Sequence, residues 1–86
     1  MFQELTDKRR IFMQTEEIKI STEYIKLDQL LKFSGVAENG ADAKDMILAE
    51  IVDVNGEVCT MRGKKIRPND EVIIHFEDEI LKIEVK

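Results

Sequence analysis

Four cations stand within six residues, Arg62-Gly63-Lys64-Lys65-Ile66-Arg67, with no acid among them. Residues of this type at this density can do one thing well, which is to hold an anion. Arginine offers a planar fork that matches phosphate and stacks on a base, whereas lysine acts as a point charge. A loop of cations repels itself, and an anionic partner relieves that repulsion. The structural alternative is a solvated loop. A second candidate lies upstream, where Asn39-Gly40-Ala41-Asp42-Ala43 opens a predicted helix. Asn39 suits an N-cap. The small residues after it leave backbone N–H groups accessible, and those groups with the helix dipole can receive a phosphate. Asp42 complements the same dipole and opposes an incoming anion. Burial of Ala43 in helix packing is the structural reading of this stretch, and both can hold at once. Lys32 and Lys44 point outward from their helices.

Other chemistries find little support. Cys59 is the single cysteine; it has no partner for an intramolecular disulfide and no visible histidine activator. His75 alternates with apolar residues in a strand and reads as structural. Glu77-Asp78-Glu79 reads as a solvated turn rather than an acid/base pair. There is no phosphate-binding glycine loop, dinucleotide fingerprint or metal-ligand spacing. The expectation is a non-enzymatic protein with no cofactor and no metal.

The 86 residues bound one domain, 43% apolar, with a net charge of −5. That total argues against a non-specific nucleic-acid coat. Its distribution matters more: screening falls off over about 8–10 Å at ordinary salt, so a local cluster of cations attracts anions despite a negative sum. No apolar run is long enough to span a bilayer, and the first ten residues lack the apolar core of a secretion signal. The expected compartment is the cytoplasm.

The elements that must position these residues follow from periodicity. Met1 to Thr15 reads as an N-terminal extension of uncertain order, a helix, a partner-binding arm or a tail, preceding a single domain at 16–86. Glu17 to Ser21 alternates as a strand, and Tyr24 to Lys26 forms a short extended piece. Leu27, Leu30, Leu31 and Ser34 share one face of a helix over 27–34, with Gly35 as its C′ residue. A second helix runs from about Gly40 to Ala49, with Ala43, Met46 and Ile47 on one face. The tight connection requires the two helices to cross steeply. Period two then takes over at Ile51 to Val54. Asn55-Gly56 is a strong signal for a two-residue type I′ hairpin. The basic loop follows Glu57 and Val58. Pro68-Asn69-Asp70 is a turn in which Asn tolerates the left-handed region. Val72, Ile74 and Phe76 share a strand face, and Leu81, Ile83 and Val85 form the last apolar face. The fold class is α+β, with two short crossing helices on a small, mainly antiparallel sheet.

This order of pieces resembles the RNA-binding domain named after ribosomal protein S-four, the alpha-L motif. The likeness rests on Leu27-Asp28-Gln29-Leu30-Leu31-Lys32, Ala43-Lys44-Asp45-Met46-Ile47, Val52-Asp53-Val54-Asn55-Gly56, Lys65-Ile66 and Pro68-Asn69-Asp70-Glu71-Val72-Ile73-Ile74. It spans residues 17–86. More narrowly, Gly40-Ala41-Asp42-Ala43-Lys44 and Arg62-Gly63-Lys64-Lys65 resemble the stand-alone bacterial YaaA/YbcJ-like group. The chain departs from the pattern at Asn39-Gly40-Ala41, where many members carry a basic residue, and at Glu50 and Asn69, where many carry Gly. Asp42, Asp45 and Asp53 also make the expected surface more acidic.

The resemblance implies binding of structured RNA, of the ribosomal or transfer RNA class, with ribosomal RNA or the ribosome among the implied partners. Position by position it implicates Lys32, Asn39, Gly40, Lys44, Asn55, Arg62, Lys64, Lys65 and Arg67, with Asn55 serving the turn at least as much as the RNA. The rival reading is a protein–protein adaptor on the same fold, with a protein partner engaged through residues 1–15. The third reading is an enzyme, since the domain resembles an appendage of RNA-modifying enzymes and tRNA synthetases, although no catalytic domain is expected within these 86 residues.

Overall fold

The computed structural model describes residues 12–86. Seven strands and two helices follow in the order β1 (Phe12–Ile18), β2 (Ile25–Lys26), α1 (Leu27–Phe33), α2 (Gly40–Leu48), β3 (Val52–Val54), β4 (Glu57–Val58), β5 (Lys65–Ile66), β6 (Glu71–His75) and β7 (Glu79–Val85). Five strands form one sheet in the order β1-β7-β6-β3-β4, and β2 pairs with β5 in a separate two-stranded ribbon. Every pairing is antiparallel except β1 with β7. The α+β class and the mainly antiparallel sheet are therefore as the pattern required.

Period two along the strands decides what the sheet buries. Val52 and Val54, Val72 and Ile74, and Leu81, Ile83 and Val85 all turn to one face and are buried there. The helices cover that face. In α1 the i, i+3, i+4 spacing brings Leu27, Leu30 and Leu31 inward, each with no exposed surface, as one stripe of a 3.6-residue period must. In α2 the inward residues are Ala43 and Ile47, with Met46 packed at the margin. Ile66 of β5 joins the same core. At seven and nine residues these helices are too short to persist alone, so this packing is what sustains them.

Turn chemistry sets the connections. Gly35 (φ 85°) ends α1, its N–H donating to the Lys32 carbonyl. Asn55 (φ 51°) and Gly56 (φ 90°) both take the left-handed conformation that the β3–β4 hairpin needs. Asn69 does so at φ 80° and Glu50 at φ 64°. Of the two, Glu50 is the costlier occupant, because its Cβ crowds the carbonyl there.

Three expectations need correction. The strand placed at Glu17 to Ser21 lies at Phe12–Ile18. Gln14, Thr15, Glu16 and Glu17 are all exposed, so backbone pairing with β7, rather than burial, makes this strand, and the sequence carries no apolar alternation to reveal it. Thr15 pairs with Lys82 and Glu17 with Glu84 in a parallel register, and Gln14 Nε2 donates to Glu79 Oε2 at 3.1 Å. Phe76 does not join Val72 and Ile74 inside. Its N–H already donates to the Glu79 carbonyl in the reversal, and its side chain is partly exposed. The basic segment is not wholly irregular, since Lys65–Ile66 is a strand. The expected arm at Met1 to Thr15 lies outside the described residues up to residue 11.

Candidate nucleic-acid interface

The segment from Cys59 to Arg67 is fixed by its backbone. The Cys59 N–H donates to the Val52 carbonyl (2.9 Å), and the Lys64 N–H closes a turn onto the Met61 carbonyl (3.1 Å). Lys65 and Ile66 pair with Lys26 and Ile25. At the far end the Arg67 N–H donates to Asp70 Oδ2 at 2.8 Å. The remaining anchor is α1 itself: the Leu27 N–H donates to the Lys64 carbonyl (2.9 Å) and the Asp28 N–H to the Arg62 carbonyl (3.1 Å). Helix starts leave such donors without partners. Here Lys26, at the N-cap position, makes no side-chain cap, and the basic loop supplies the acceptors instead.

This arrangement decides where the charges go. With the carbonyls of Arg62 and Lys64 turned to the helix, the side chains of Arg62, Lys64, Lys65 and Arg67 are all exposed. Ile66 between them is fully buried and ties the segment to the core. None of the four forms an ion pair with a described residue. The described ion pairs, His75–Asp53 (2.9 Å), Lys82–Glu71 (2.9 Å), Lys82–Glu84 (3.5 Å) and Lys86–Glu84 (3.5 Å), all lie on the sheet strands or at their ends. The Lys82 ammonium is held above its ordinary range, first by its hydrogen bond to Glu71 and then by that carboxylate's charge. The described ion pairs thus use sheet residues, and no described carboxylate occupies the loop cations.

Two residues absent from the sequence expectations belong to this cluster. Lys26 is the direct cross-strand partner of Lys65 and is likewise exposed. Like charges so placed destabilise a strand pair. Tyr24 lies beneath Lys65, whose Nζ sits 5.0 Å from the ring centroid, a cation–π distance. An aromatic ring among lysines is the composition that suits a stacked base on a phosphate chain. Neither residue is marked locally, because the β2–β5 pairing joins segments some forty positions apart.

The other expected residues divide. Lys32 in the last turn of α1 and Lys44 in α2 are exposed, with no ion-pair partner among the described residues. Asn39 caps α2, its side chain accepting from the Asp42 N–H at 2.9 Å. Gly40 is exposed at the first helical position, and a Cβ there would meet open space. The hydrogen bonds that hold the basic run lead to α1, not to this second helix start. Asn55 is a scaffold residue: its Oδ1 accepts from the Glu71 N–H (3.0 Å) and its Nδ2 donates to Asp70 Oδ1 (3.2 Å). Its polar side-chain atoms are therefore engaged in joining the hairpin to the Asp70 turn. One oxygen in the neighbourhood has no hydrogen-bond partner, the shielded Oδ1 of Asp28 in the first turn of α1.

The sequence model of the S4 domain family matches residues 18–84. That span takes in both helices, the β3–β4 hairpin, the basic loop, β6 and most of β7. The chain belongs to the S4 domain family, a family of RNA-binding domains. A comparison with curated proteins gives no match. No described helix is long and apolar enough to cross a membrane.

Proposed function

We propose that this protein binds structured RNA, without catalysis, through the backbone phosphates. Arg62, Lys64, Lys65 and Arg67 carry the interaction, Lys26 adds to it, and Lys32, Lys44 and the Asn39–Gly40 helix start extend it. The observation that carries this reading is the absence of any described carboxylate paired with four cations that the fold holds exposed on one short segment, while the described ion pairs all lie on the sheet strands or at their ends. Shape and phosphate are what such a surface reads, because an A-form helix hides the base edges in a deep, narrow groove. The resemblance favours ribosomal or transfer RNA in the cytoplasm, and with it the ribosome as the setting. The domain at 16–86 is the binding unit. Asp42 and Asp45 on α2 temper the attraction, and the phosphate contacts of the cations make affinity depend on salt.

The test is titration of a structured RNA at 50 and 200 mM salt, with the wild type and with Arg62, Lys64, Lys65 and Arg67 all changed to Ala. Neutralising about four phosphates gives a log–log slope of roughly −3 to −4. The quadruple variant should lose most of that slope while melting near the wild-type temperature. Binding that is insensitive to both salt and substitution would overturn the reading.

A further inference from the structure

Where β4 runs into the basic loop there is an open hollow of about 240 Å³. Val54, Val58 and Met61 give it apolar walls, and Glu57, Thr60 and Lys64 give it polar ones. We propose that it receives a single unpaired nucleobase of the bound RNA, with Lys64 at its edge holding an adjoining phosphate. The proposal rests on the RNA-binding reading above and adds to it a preference for RNA with a base out of the stack.

Size argues first. The volume falls below the ~300–1,000 Å³ of sites that enclose a drug-sized ligand, and it suits one flat ring. The walls argue next. Val58 is 56% and Met61 64% exposed, among the largest apolar exposures of the described residues, and both border this hollow. A ring face laid against them removes apolar surface from water. Thr60 and Glu57 can meet the polar edge of a base, since a carboxylate accepts from amino groups of bases. Charge then separates the parts of a nucleotide. The Glu57 carboxylate repels phosphate from the interior, whereas Lys64 and the neighbouring Arg62 attract it to the edge. A neutral base inside and its phosphate outside satisfy both. The adjoining strand offers no rival template, because β4 is only two residues long and a short edge is a poor site for strand addition.

The experiment uses the full chain and two RNA hairpins of equal duplex length, one continuous and one with a single-nucleotide bulge. The bulged nucleotide is 2-aminopurine, whose emission reports on its stacking. The wild type should bind the bulged hairpin about five- to tenfold more tightly, the lower range expected for one stacked base, with a change in 2-aminopurine emission. A Val58→Ser/Met61→Ser variant, altered only at exposed side chains, should bind both hairpins with the affinity of the wild type for the continuous one. Equal wild-type binding to the two hairpins would overturn the base site and leave phosphate binding standing. Binding to neither would overturn both. A double variant that keeps the preference, or that loses affinity equally for both RNAs, would also overturn the base site.

Discussion

Lys26 and Lys65 face each other as direct partners across the β2–β5 ribbon, and neither has an ion-pair partner among the described residues. Folding brings these two like charges together, and Lys26 also occupies the N-cap position of α1, where the helix dipole disfavours a cation. Two unfavourable terms at one position are what a binding residue produces when it is placed for a partner rather than for stability.

Lys26→Glu should therefore separate stability from binding. Replacing the repulsion with an attraction across the ribbon is worth about 0.2–1 kcal/mol, and an acid at the helix start adds about 0.3–1 kcal/mol. The urea midpoint should rise. RNA affinity should fall, and the salt slope should shrink by about one phosphate's worth, roughly 0.7–0.9. A variant whose midpoint and affinity move together in the same direction would remove Lys26 from the interface.

Glu50 gives a purely structural prediction. Its N–H donates to the Ile47 carbonyl, and its φ of 64° makes it the left-handed residue that closes α2. A non-glycine residue there bears about 1–2 kcal/mol of strain, and the entropy of glycine in the unfolded chain offsets about 0.5–1 kcal/mol of the relief. Glu50→Gly should stabilise the protein by roughly 0.5–1 kcal/mol, seen as a higher melting temperature at unchanged RNA affinity. Asn69→Gly should do less, since Asn visits this region more readily.

Asn55 separates the scaffold from the surface. Asn55→Ala removes the acceptor for the Glu71 N–H and the donor to Asp70, and it leaves a residue with a Cβ at φ 51°. The loss of two hydrogen bonds should cost about 1–3 kcal/mol. RNA affinity, measured well below the melting transition, should change little. A fall in affinity with stability intact would return Asn55 to the RNA contacts.

Local signals made much of this fold legible. The stripe Leu27, Leu30 and Leu31, the Asn39 cap, the Asn55-Gly56 hairpin and the Asn69 turn each depend on residues within four positions of one another. They lie where periodicity and turn chemistry place them. What escaped depends on distant partners. The β1 strand is recruited by β7 through backbone pairing, although its residues 14–17 are polar. The β2–β5 ribbon is two residues on each side, too short for a periodic signature. The site divided along the same line: the charge run was visible as composition, whereas Lys26 and Tyr24 enter it only through that ribbon. The capping of α1 by the carbonyls of Arg62 and Lys64 was hidden for the same reason.

Tyr24 offers the most direct reading of the interface. It is the single tyrosine in a chain without tryptophan, so emission excited in the tyrosine band comes from one ring. That ring lies 5.0 Å from the Lys65 ammonium, which the proposed RNA would engage through a phosphate. Drawing the ammonium toward phosphate, or laying a base against the ring, changes the ring's surroundings and quenches its emission. Titration with structured RNA should therefore quench Tyr24 along the same curve that a labelled-RNA measurement gives. In Lys65→Ala the starting emission should differ, because the cation is gone, and the RNA-induced change should be smaller and need more RNA. Tyr24→Leu keeps an apolar contact while removing the cation–π interaction, worth about 0.5–1 kcal/mol at an exposed site. Because that contact is made in the free protein, RNA that only draws Lys65 away should bind Tyr24→Leu at least as tightly as the wild type, whereas RNA with a base stacked on the ring should bind it about fivefold more weakly. Emission that is unchanged at RNA concentrations saturating the labelled assay would place the bound RNA away from the β2–β5 ribbon.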